Sequence, residues 1–250
     1  MPSIPAAVPH AQDPVVLSYA ALRRAVGIVA VAFPFVVAVP VYILCHGFIA
    51  GSLSANYYYP TRNFFVGMLC AIATFMFCDH GYDRRDEIAG IVSSLCAFGV
   101  AFFPTTPPAC PTTLQKWIGG IHYGFATILF LTLAYFCLVL FQTTAADRVP
   151  TREKLRRNLV YRICGWIILA SLVIIGGLAA LGHFPSVEAL IAKFHTSALF
   201  ESTALIAFGI AWLVKGESIP FLNDPDPVPI HTLTSNKVFG LATRQTPPLA

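Results

Sequence analysis

Five side chains have the types needed for chemistry: Ser52, Ser54 and Arg62 in the stretch GSLSANYYYPTRNFFVG, and His122 and Glu201 inside later apolar runs. Serine, histidine and a carboxylate are the components of an acyl-transfer triad, in which the histidine takes the hydroxyl proton and the acid orients the ring. No GxSxG elbow surrounds either serine, and serines in a turn ordinarily cap or solvate the backbone. Glu201 stands out because an ionisable group in an apolar segment is expensive without a partner or water, although a helix N-terminus also favours an anion. If the runs around His122 and Glu201 start near residues 118 and 197, both lie about 6 Å into their helices, so they meet if those helices are neighbours. A metal is not expected. His195 and Glu201 are six residues apart, about 240° around a helix, and no HxxxH or HExxH spacing occurs. His46, His122, His183 and His195 fall near the ends of runs, not at the facing depths that haem requires. No pattern names a cofactor.

The elements that must position these groups are membrane helices. Of 250 residues, 56% are hydrophobic and only 11% charged, against about a quarter charged in soluble domains. Spanning the bilayer takes about 20 predominantly apolar residues. Six runs approach or exceed that length, at 25–50, 63–79, 87–103, 118–142, 160–182 and 197–215, the second and third near the lower limit. The expected architecture is therefore an all-α membrane protein, a bundle of six transmembrane helices over 22–215. A flexible N-terminal tail (1–21) and a proline-rich C-terminal tail (216–250) flank it. The first run exceeds a signal-peptide core and is read as a retained anchor, kinked and not broken at Pro34 and Pro40. Six of the seven cysteines sit in or beside apolar runs and read as small core residues, while Cys110 lies in the loop TTPPACPTT.

Charge sets the orientation. With the N-terminus in the cytoplasm, the inner segments carry Arg23, Arg24, Arg84, Arg85, Arg148, Arg152, Lys154, Arg156, Arg157, Arg162 and Lys215, and the outer loops only Arg62, Lys116 and Lys193. The net charge of +4 thus encodes topology, and nucleic acid is not an expected partner. Both tails are then cytoplasmic, and 51–67 faces outward, with Tyr57, Tyr58 and Tyr59 at headgroup depth and Thr61 or Asn63 capping the second helix. The inner layer places Asp79, His80, Asp83, Arg84, Arg85, Asp86 and Glu87 opposite Arg156, Arg157, Asn158 and Arg162. That arrangement reads as a salt-bridged network at helix ends, with Asp86 and Glu87 starting the third helix and Asn158 the fifth.

The succession SLSANYYYPTRNFFVGML, FMFCDHGYDRRDEIAG and AFFP is similar to a group of bacterial six-helix membrane proteins of uncharacterised function. It more distantly resembles the DRAM family of damage-regulated autophagy modulators. Those likenesses imply a six-helix frame over most of 25–215 and a lipid-associated or regulatory role. The CREST superfamily, whose members hold a metal with histidines including HxxxH in the last helix, is disfavoured because SALFESTALIAFGIAWLVK contains no histidine.

The function expected on these grounds is binding or sensing of a lipid headgroup in an outward-facing polar pocket formed by Ser52, Ser54, Tyr58, Arg62, His122 and Glu201. In that pocket Arg62 suits a phosphate or carboxylate. Membrane lipids are the expected partners, with a role as accessory subunit of a membrane complex, and the expected location is the bacterial inner membrane. A lipid hydrolase using the same pocket and a small-solute transporter are the alternatives, the latter without the inverted repeats such proteins carry.

Overall fold

The computed structural model describes residues 14–47, 49–79, 81, 83–144, 150–182 and 184–223. Among them lie seven α-helices: α1 (Pro14–Leu44), α2 (Arg62–Cys78), α3 (Arg84–Phe102), α4 (Thr113–Leu138), α5 (Arg152–Leu181), α6 (Pro185–Phe194) and α7 (Thr196–Lys215). Four of these, α1, α4, α5 and α7, are long and apolar enough to cross a membrane. Helix α2 is apolar but has 17 residues, about 25 Å, and α3 opens on Arg84, Arg85, Asp86 and Glu87. The seventh helix, α6, occupies what the sequence presents as a loop between the fifth and sixth runs. Pro185 starts it at a position where the missing N–H costs nothing, and His195, in the left-handed conformation, turns the chain into α7.

Several boundaries differ from the expected ones, for local reasons. Residues 14–21 extend α1 and are not tail, and α1 passes through Pro34 and Pro40 as one helix. Helix α4 starts five residues early because Thr112 and Gln115 form a reciprocal capping box. Thr151 caps α5, which leaves Asn158 well inside that helix and not at its start. The cap of α3 is Asp83, whose Oδ1 accepts from the amides of Arg85 and Asp86. Residues 1–13 and 224–250, with His80, Arg148 and His183, lie outside the described residues.

Six helices form a closed ring in the order α1, α2, α3, α4, α5, α7, with α7 returning to α1, α4 also touching α7 across the middle, and α6 packed on α7. Short connections make sequence neighbours antiparallel neighbours in space. The interior is apolar, from Val26, Phe33 and Ala73 to Leu133, Ile168 and Phe208, all at most 2% exposed. The outside is apolar as well: Ile28, Phe35, Leu95, Trp166 and Val173 are more than half exposed. Helices that are hydrophobic all round belong in lipid or in the core of something larger.

Closure of the ring depends on two glycines. A Cβ on Gly27 would come within 2.9 Å of the Gly209 carbonyl oxygen, and one on Gly209 within 2.9 Å of the Gly27 carbonyl oxygen, so α1 and α7 touch backbone to backbone. Gly209→Leu is expected to destabilise the fold by about 1–3 kcal/mol, the usual cost of overpacking, since a backbone carbonyl cannot move aside. Thermal unfolding in detergent checks this, with Gly176→Leu, which would extend into open space, leaving the midpoint unchanged.

At one end of the ring cations finish the helices. Arg24 Nε donates to the Gly216 carbonyl at 2.7 Å, Lys154 Nζ to that of Phe141 at 2.8 Å, and Arg157 Nη1 to that of Leu222 at 2.6 Å. These are the carbonyls that helix and turn ends leave unpaired. Asp79 pairs with Arg23 of α1 at 3.2 Å, both side chains being at most 10% exposed. The expected network across to α5 is thus replaced, for Asp79, by a pair to α1 that no local spacing signals.

Candidate functional site

The other end of the ring carries the connections 45–61, 103–112 and 182–195, and the first of them is built around a buried amide. Asn56, 2% exposed, donates from Nδ2 to the Leu53 carbonyl at 3.0 Å and the Ser52 carbonyl at 3.3 Å, and its Oδ1 accepts from Thr61 Oγ1. Thr61 therefore staples the loop instead of capping α2, whose first residue is Arg62. Ser52 Oγ accepts from the Ala55 amide at 3.0 Å, a local turn bond that starts the 3₁₀ segment Ser54–Tyr58.

This loop sits on α7. Glu201 Oε2 accepts from the backbone N–H of Leu53 at 2.8 Å and of Ser54 at 3.3 Å, while the Ala198 amide donates to the Gly51 carbonyl at 3.2 Å. The carboxyl group therefore satisfies two amides that the turn cannot. Its second oxygen, Oε1, has no hydrogen-bond partner among the described residues.

Beneath the loop lies a cavity of about 110 Å³ to which each of the six ring helices contributes a residue, including Phe33, Phe65, Val100, Phe130, Leu172 and Leu205. Ser54, His122, Tyr123, Thr127 and Glu201 are the residues with polar side chains in its lining. His122 is 1% exposed, its Nδ1 is 2.6 Å from the Phe103 carbonyl, and its Nε2 has no partner. The carbonyl fixes Nδ1 as the protonated nitrogen of the neutral ring, which leaves Nε2 as an acceptor awaiting a donor. Such a group is the kind of buried orphan that ligands and ordered water satisfy.

Of the six residues expected to form the pocket, Ser54, His122 and Glu201 line this cavity. His122 and Glu201 share it without a hydrogen bond between them. His122 is nine residues past the start of α4 and Glu201 five past that of α7, about 6 Å apart in depth measured from the helix starts, because the capping box lengthens α4. The triad geometry is not assembled either, since the group orienting His122 is Phe103 and Glu201 is committed to the loop.

Ser52, Tyr58 and Arg62 do not line the cavity. Arg62 lies with its guanidinium 4.1 Å from the centre of the Tyr57 ring and bonds the Tyr57 hydroxyl at an exposed position. Tyr58 reaches the 103–112 connection instead, donating to the Thr105 carbonyl at 2.5 Å, and Thr105 Oγ1 in turn donates to Tyr123 Oη at 2.9 Å. Desolvation of the Tyr58 phenol, with Tyr57 adding to it, holds its pKa above the ordinary value despite Arg62. The Tyr58–Thr105 bond joins two loops, and Tyr58→Phe is expected to cost about 1 kcal/mol, visible as a lower unfolding midpoint. A raised folded-state pKa stabilises at pH below 10 and ceases to do so as pH passes the folded value, so the difference between wild type and variant shrinks in strong base.

Phe103, Thr105 and Tyr123 are the participants that the sequence did not mark. Two act through backbone carbonyls, which any residue carries, and only Tyr123, next to His122, offered a polar handle in an apolar run. Among the described residues no three His, Cys, Asp or Glu side chains gather closely enough to share a metal. Compared with known proteins, the chain matches no family model, no curated protein and no solved structure.

Proposed function

We propose that this chain is an integral membrane protein that binds the polar end of a lipid beneath the 51–61 loop, with the apolar chain in the central cavity. All six ring helices cross the bilayer in this reading, α2 and α3 with their ends at the interfaces, in a bacterial inner membrane. Apolar side chains over the outer surface support the embedding. The crowding of Arg23, Arg24, Arg84, Arg85, Arg152, Lys154, Arg156, Arg157 and Lys215 at one end, against Arg62, Lys116 and Lys193 at the other, supports a cytoplasmic basic end and an outward-facing cavity. Cys110, exposed in the connection between α3 and α4, is then outside. An impermeant thiol reagent should label it in intact cells, and Cys110→Ser should remove that labelling. Labelling only after the cells are opened would invert the topology.

The observation that carries the binding reading is the buried His122 Nε2, which has no partner, in a mostly apolar cavity that the Glu201 carboxyl also lines. An apolar site with a few convergent polar groups is the general form of a small-molecule site. With Arg62 held by Tyr57, the cavity lacks the cation that a phosphate would require. A polar end that donates hydrogen bonds, a hydroxyl or an ammonium, fits the acceptors present. Mass spectrometry of lipid that copurifies with the full chain tests this: wild type should retain a hydroxyl- or amine-ended lipid, and His122→Phe, which preserves the ring volume, should retain at least tenfold less. Equal retention by the two would overturn the assignment.

A further inference from the structure

A second feature lies on the outer surface of the ring, between α3 and α4. Arg85, Ile88, Ala89 and Val92 are spaced i, i+3, i+4, i+7 on α3, and Ile128, Leu131, Thr132 and Tyr135 repeat that spacing on α4. The two stripes form the walls of an open groove of about 410 Å³, about 10 Å long along each helix. It shares no lining residue with the central cavity.

The groove is apolar along its length and cationic at one end. Ile88, Ile128 and Leu131 are roughly half exposed on its sides, whereas the small buried Ala89 allows the depression between them. Arg85, on the first turn of α3 at the basic end of the ring, is exposed and its guanidinium has no partner among the described residues. Asp83, Asp86 and Glu87 flank it in sequence, but none of them forms an ion pair with it among the described residues. Asp83 is occupied by the amides of α3, and the side chain of Asp86 lies against Gly81 in the turn between α2 and α3.

We infer that this groove binds one anionic phospholipid of the surrounding leaflet, the phosphate on Arg85 and an acyl chain along Ile88, Val92, Ile128 and Leu131. Charge complementarity chooses the occupant. A planar guanidinium matches a phosphate bidentately, at the depth where headgroups lie if the ring spans the bilayer. The inference rests on the membrane reading but not on what fills the central cavity.

Native mass spectrometry of the full chain, purified in detergent and titrated with phosphatidylglycerol and phosphatidylcholine of the same chain composition, tests it. Wild type should retain the anionic lipid about fivefold better, the ratio corresponding to about 1 kcal/mol for one cation at the surface. Arg85→Gln should abolish the preference, while Arg84→Gln, one residue away and outside the groove, should keep it. Thr132→Trp should fill the groove and lower retention of both lipids. Its hydroxyl bonds only the Ile128 carbonyl of its own helix, and Ile128→Trp repeats the block from a half-exposed position if the first variant unfolds. Equal retention of both lipids by wild type overturns the inference, as does a preference that survives Arg85→Gln. So does a dimer that Thr132→Trp dissolves, which would make the groove a contact between copies. Recovery of the folded chain without detergent would remove the membrane reading itself, an outcome separate from these.

Discussion

Glu201→Ala is expected to release the 51–61 loop from α7 and to destabilise the protein by about 3 kcal/mol. Two backbone amides, of Leu53 and Ser54, would lose their acceptor, and a buried amide left unsatisfied costs about 1–3 kcal/mol. The remaining tie, from Ala198 to Gly51, is a single neutral bond. Limited digestion with chymotrypsin reports the release, since Tyr57, Tyr58 and Tyr59 would become extended enough to cut. Cleavage should accelerate at least tenfold, about what 1.4 kcal/mol of local opening gives, and Glu201→Gln, which keeps an acceptor oxygen, should fall between wild type and alanine. Unchanged cleavage in Glu201→Ala would show that the loop is held without Glu201, by Asn56 and Thr61 within it and by the Tyr58–Thr105 bond.

A comparable effect is expected at the opposite end. Asp79→Ala removes the carboxylate that pairs with Arg23, whose side chain is 10% exposed, and breaking a buried pair from one side costs up to about 3–5 kcal/mol. The two-sided replacement Arg23→Leu with Asp79→Leu removes both charges of the pair and should recover most of the loss. Thermal unfolding of the four proteins in one detergent forms the cycle. A single-variant loss below 1 kcal/mol would mean that water or another group compensates Arg23.

What the sequence disclosed follows from which forces act locally. Apolar runs located each ring helix, four of which, α1, α4, α5 and α7, are long and apolar enough to cross a membrane. Hydropathy missed α6, since ten residues that include Pro185, Glu188 and Lys193 resemble a loop, and it misplaced the start of α4, which a capping box decided over composition. The association of Ser54, His122 and Glu201 around one cavity was legible because rare polar groups in apolar helices have few places to go. Arg62 was not, because its preference for Tyr57, five residues earlier, depends on how the 3₁₀ segment turns. The Arg23–Asp79 pair was invisible for a related reason: 56 residues separate them, and only the packing of α1 on α2 brings them together. Backbone partners such as the Phe103 carbonyl leave no trace in residue type at all.

The identity of the polar end that the cavity accepts is the central claim, and relative affinity measures it most directly. Long-chain probes of equal length ending in an alcohol, an amine or a carboxylate can be competed by native mass spectrometry on the full chain, wild type and Glu201→Gln. Glu201 repels a second carboxylate in a site without a cation, so alcohol and amine should bind wild type at least tenfold more tightly than the acid, and Glu201→Gln should narrow the gap. A carboxylate probe that binds wild type as tightly as the other two, with the gap unmoved in Glu201→Gln, would contradict the assignment of Glu201 and His122 as the acceptors for a donor headgroup.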